Sequence, residues 1–127
     1  MNYTICKGTN WVTQYCRLAK PSKGTSAKFM RCFYISIAIP KMLYAADLFL
    51  VPETSRSKGM KGPITKLAMI QRQACLHITG MMRMAPTDAI DTCADILPLP
   101  LLIEKILFHA TSRLATLPKL HPLEQHI

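Results

Sequence analysis

The sequence predicts an all-α fold, a small irregular bundle of about five to six helices. Apolar residues recur with a helical period in several windows, and no alternating strand pattern of useful length occurs. Prolines and glycines fall between those windows, where helices start and stop. Half of the 127 residues are hydrophobic, enough for a modest core and too many for a chain disordered throughout. One domain, residues 1–127, is the expectation at this length.

A first helix is predicted over residues 10–20, with Val12, Tyr15, Cys16 and Ala19 as its apolar stripe. The sequence PSKGT at 21–25 then forms a turn with two breakers. Ser26 can cap a second helix running from Ala27 to about Ile39, along which Phe29, Phe33 and Ile37 stand at i, i+4 and i+8. Pro40 kinks that helix or starts a new one reaching Leu50. Residues 52–62, PETSRSKGMKG, make a polar basic loop, long for a connection and the one plausible internal boundary.

The clearest helix follows. Ile64, Leu67, Ala68, Ala74, Cys75 and Ile78 share one face, while Lys66, Gln73 and His77 lie opposite with Arg72 on the flank. Pro63 suits the first helical position and Gly80 the position just past the end. A short connector to Ala85 holds Met81, Met82, Arg83 and Met84. Its methionines are expected to fill gaps in a packing seam, the alternative being an adaptable binding surface. The next helix starts near Pro86. LPLP at 97–100 breaks the chain before a last helix with Ile103, Ile106, Leu107, Ala110, Leu114 and Leu117 in one stripe, stopped by Pro118. Residues 118–127 are expected to fray.

Charge is the strongest functional signal. The net charge is +9. Residues 1–85 hold 13 Lys/Arg against 2 Asp/Glu, a net of +11, and residues 86–127 hold 3 against 5. Such asymmetry points to a polyanion partner on the basic side. Five cysteines at wide, irregular gaps include no C-x-x-C pair, which disfavours a zinc knuckle, a redox motif and a disulfide scaffold. The four histidines are equally scattered, and nothing in the sequence orients a base toward a thiol. No metal or cofactor is therefore expected. MNYTICKGTNWV lacks the basic-then-apolar pattern of a signal peptide. Residues 33–51 are apolar for nearly a membrane span, but Pro40, Lys41 and Asp47 interrupt them, and a charge near mid-bilayer costs about 3 kcal/mol. The expectation is an intracellular protein, nuclear or cytoplasmic, outside the membrane.

Three segments carry a resemblance, in order along the chain. IQRQACLHITG at 70–80 followed by MRMAPTDAI at 82–90 resembles the region after the polymerase core in non-LTR (LINE-type) retrotransposon reverse transcriptases, especially fungal ones. FYISIAIPKMLYAADLFL at 33–50 resembles that family's upstream helix, and residues 97–122 resemble its downstream leucine-rich helix. The resemblance covers residues 8–123 and implies a thumb or connector module lying after the catalytic palm. Where Ala85 stands the family usually has Ser or Thr, the natural cap of the next helix.

Catalysis is not implied for this chain. Tyr44-Ala45-Ala46-Asp47 has one acid where the Tyr-x-Asp-Asp polymerase motif needs two. Before residue 86 the only acids are Asp47 and Glu53, too few to hold paired metal ions. The expectation is a non-catalytic fragment that holds nucleic-acid backbone without reading sequence. Its candidate contacts are Arg56, Lys58, Lys61, Lys66, Arg72 and Arg83, with Lys20, Lys23 and Lys28 as a weaker cluster. The alternatives are a helical protein-interaction module, whose partner could be a polymerase core, and a decayed transposon relic without activity.

Overall fold

The computed structural model describes residues 2–19, 24–44, 46–50 and 61–118. These are helical with no strand among them: α1 (Asn2–Leu18), α2 (Ala27–Phe33) running through a π-helical segment (Tyr34–Ala38) into α3 (Ile39–Met42), α4 (Ala46–Phe49), α5 (Lys61–Thr79), α6 (Thr87–Ala94) and α7 (Leu99–Ala115). The all-α expectation holds. No helix among the described residues is long and apolar enough to cross a membrane.

The helix predicted most clearly, α5, is the central one. It packs against α1, α2, α6 and α7, and Leu67, Ile70, Gln71, Ala74, Cys75 and Ile78 are buried along it. Gly80 ends it with φ +68°, the left-handed conformation glycine adopts without a Cβ penalty.

α1 begins eight residues earlier than its periodicity suggests. Gly8 explains both the missed start and the observed helix. Its propensity is poor, but a Cβ there would lie 3.0 Å from Ile70 Cδ1 and 3.3 Å from Met42 Sδ. Glycine therefore lets α1 approach α5 and α3 closely, and packing overrides propensity.

The second helix buries a different row from the predicted one. Met30, Tyr34, Ala38 and Met42 are in the core, whereas Phe29, Phe33 and Ile37 are exposed. Pro40 does not break this helix. It lacks the N–H that would reach back to residue 36, and its ring would crowd that carbonyl. The preceding π segment widens the helix, and the Ile39 N–H bonds the Tyr34 carbonyl five residues back.

α6 starts one position later than expected. Its N-cap is Pro86, in extended conformation, so Ala85 precedes the cap. Asp95 closes α6 in the left-handed region with φ 51°, and the Ile96 N–H bonds the Asp91 carbonyl at 3.0 Å. Leu99 and Ile103 of α7 join the core, and Ile106 and Leu107 pack against it. Beyond them Ala110 and Leu117 are half-buried and Leu114 is exposed, so the second half of the predicted stripe is only partly covered. Met81 packs against the core. Met82 and Met84 are exposed and fill no seam.

Candidate nucleic-acid interface

The structure places five of the nine candidate cations. Lys20, Lys23, Arg56 and Lys58 lie outside the described residues. Lys61 and Lys66 are exposed in the first turns of α5, Lys28 is exposed at the start of α2, and Arg83 is exposed in the connector after α5. Lys28 shares a shallow depression with Ile78, Thr79 and Met81, which brings it to the C-terminal end of α5. Lys66 and Thr79 are separated by 13 residues of helix, about 20 Å at 1.5 Å per residue. Arg72 apart, the described candidate cations thus fall in two groups, one toward each end of the central helix.

Arg72 differs from the others. Its Nη2 donates to the carbonyls of Arg83 at 2.8 Å and Ala85 at 2.7 Å, and its Nη1 donates to Thr87 Oγ1 at 2.6 Å. The guanidinium is a clasp that folds the connector back onto α5 and sets the entry to α6. Its fork, aimed at three fixed acceptors, is a geometry that a lysine cannot reproduce. Arg72→Lys is therefore expected to lower stability by about 1.5–3 kcal/mol, the range for hydrogen bonds to a charged group. Chemical denaturation of the two proteins measures it. If Arg72→Lys melts like the parent, the clasp is not holding the connector.

Arg31, outside the predicted set, is also committed. Its Nη2 meets Asp95 Oδ2 at 2.6 Å and the Asp95 carbonyl at 2.7 Å, and its Nε donates to the Ala94 carbonyl at 3.0 Å. It fastens α2 to the end of α6.

Beneath this surface lies a buried polar group that periodicity did not reveal. Gln71 Nε2 donates to the Leu97 carbonyl at 3.0 Å, and Gln71 Oε1 accepts from the Tyr34 hydroxyl at 3.3 Å. Tyr15 donates its hydroxyl to the Met30 carbonyl at 2.7 Å. Burial pushes the Tyr15 and Tyr34 phenols above their ordinary range. Burial, then the neighbouring Asp91, pushes the Cys75 thiol up to about 12. These groups are protonated, neutral core at neutral pH.

Cys16 Sγ and His77 Nε2 stand 2.8 Å apart, a pairing across 61 residues that sequence spacing did not show. Burial raises the Cys16 thiol, which opposes thiolate formation and so works against nucleophilic use. Among the described residues no three His, Cys, Asp or Glu side chains cluster as metal ligands.

Compared with known proteins, the chain matches no family model, no curated protein and no solved structure.

Proposed function

We propose that this chain is a non-catalytic helical module that holds nucleic-acid backbone, in the manner of the thumb or connector of the reverse transcriptases it resembles. The observation that carries the reading is the excess of cations on residues 1–85. Exposed Lys28, Lys66 and Arg83 lie along and beside α5, and such cations position a duplex through its phosphates. Arg72 supports them from behind by fixing the backbone at Arg83.

Counterion release tests this. Three phosphate contacts give a salt slope of about −2.7, so affinity for an RNA–DNA hybrid falls about 40-fold between about 50 and 200 mM salt. Fluorescence anisotropy of a labelled hybrid reads it directly. Lys66→Gln should lower the slope by about one and weaken hybrids of unrelated sequence equally. A flat salt response, or no binding at the lowest salt, removes the proposal.

A second reading rests on the row Phe29, Phe33 and Ile37, exposed to 62%, 40% and 38%. An apolar helix stripe of this kind suits a protein partner. Binding to protein but not to nucleic acid would favour it.

A further inference from the structure

A groove of about 500 Å³ opens between α1 and the Pro40–Tyr44 segment. One wall is α1, which presents Lys7, Asn10, Trp11 and Gln14 at i, i+3, i+4 and i+7, one face of a helix. The other wall carries Lys41 and Tyr44. The described lining differs in kind from a packing seam: besides Thr4 and Pro40 it holds two cations, two amides and two aromatic rings. The volume falls in the range of small-ligand sites.

The aromatic groups are arranged asymmetrically. Trp11 is held from behind, stacked on Tyr15 with ring centroids 4.5 Å apart and tilted against Tyr34 at 5.9 Å. Both tyrosines are buried, so the indole is a fixed platform. Tyr44 is 84% exposed at the opposite wall. The π segment closely precedes this wall, which Pro40 opens, and π segments recur where a helix shapes a site.

Flat rings supply stacking for a planar base. Amides supply donors and acceptors for its edge. Lys41, exposed on the second wall, supplies charge for a phosphate. We propose that this groove binds an unpaired nucleotide of a single-stranded nucleic acid, its base against the Trp11 and Tyr44 rings and its phosphate beside Lys41. A base paired and stacked within a duplex keeps its faces covered and cannot use these rings. The site therefore goes beyond the backbone contact proposed above, and involves none of the same residues.

Trp11 is the only tryptophan of the chain, so its fluorescence reports on the groove alone. Titration of the full chain with an eight-nucleotide oligothymidylate should quench it saturably. Tyr44→Ala should weaken that binding about tenfold, within the range for loss of one base–aromatic stack, while Tyr44→Phe restores it. Lys41→Gln should reduce the salt slope by about 0.7, the single-strand value for one phosphate. Because Tyr44 and Lys41 are exposed, unchanged circular dichroism is expected for all three variants. No quenching, quenching untouched by Tyr44→Ala, or equal quenching by hexaglutamate would each overturn the proposal; the last would mark a site for acidic peptides. The hybrid-binding measurement separates the two readings. Hybrid binding without Trp11 quenching leaves the backbone contact standing and removes the groove. Quenching by oligothymidylate without hybrid binding does the reverse.

Discussion

Gln71→Leu is expected to destabilise the fold by about 2–4 kcal/mol, although leucine is apolar and similar in size. Gln71 is 1% exposed, a position where leucine would ordinarily be welcome. Its amide, however, satisfies the Leu97 carbonyl and the Tyr34 hydroxyl. Leucine would leave both without a partner, and a buried polar group left unpaired costs about 1–3 kcal/mol. Such a loss is a large part of the 5–15 kcal/mol that a typical domain possesses. Urea unfolding followed by circular dichroism reads the change. The assignment to Tyr34 is checked in a Tyr34→Phe background, where the hydroxyl is already gone. There Gln71→Leu should cost about 1 kcal/mol less, and this coupling is what a double-mutant cycle isolates. Equal costs in the two backgrounds would show that the Tyr34 contact contributes nothing.

Alkaline pH should unfold the protein steeply. The Tyr15, Tyr34 and Cys75 protons are retained by burial in the folded state, while the unfolded chain releases them near ordinary values, about 10 for tyrosine and 8.5 for cysteine. Folded values above unfolded ones mean that stability is intact below about pH 8.5 and falls as pH rises. Each group removes up to about 1.4 kcal/mol per pH unit above its unfolded value. Between pH 10 and 11 all three act together, a loss of about 3 kcal/mol. The urea midpoint should stay level to about pH 8.5 and then drop with increasing slope. Tyrosinate absorbance from Tyr15 and Tyr34 should appear only as helicity disappears. Complete tyrosine ionisation while the chain stays helical would contradict their burial.

What the sequence made legible is what a helix writes on one face. The α5 pattern gave the helix and its end away because Ile64, Leu67, Ala68, Ala74, Cys75 and Ile78 repeat over four turns and Gly80 marks the stop. The second helix was harder. Phe29, Phe33 and Ile37 stand one residue before Met30, Tyr34 and Ala38, so two adjacent apolar rows compete and periodicity alone does not choose between them. The start of α1 was hidden because Gly8 reads as a breaker until its neighbours Ile70 and Met42 are known. The same hidden turn concealed the groove, whose α1 wall begins at Thr4. Gln71, Arg72 and the Cys16–His77 pair were illegible for another reason. Each acquires its meaning from partners far along the chain or on another element, and side-chain chemistry does not encode which distant carbonyl it will meet. Arg72 was read as a surface cation, yet three of its acceptors belong to residues 83–87.

The π segment has a bearing on timing along the chain. Met30, Tyr34, Ala38 and Met42 are spaced by four, and all four are buried. In a uniform α-helix each such step overshoots by about 40°, so Met42 would stand about 120° around the axis from Met30. The wider turn at Tyr34–Ala38 advances less per residue and cancels much of that drift. It works as an escapement, holding back the rotation so that core residues return to the same hour. What those five positions contribute is therefore a count as much as a composition, and their number sets where Lys41 and Tyr44 come to face.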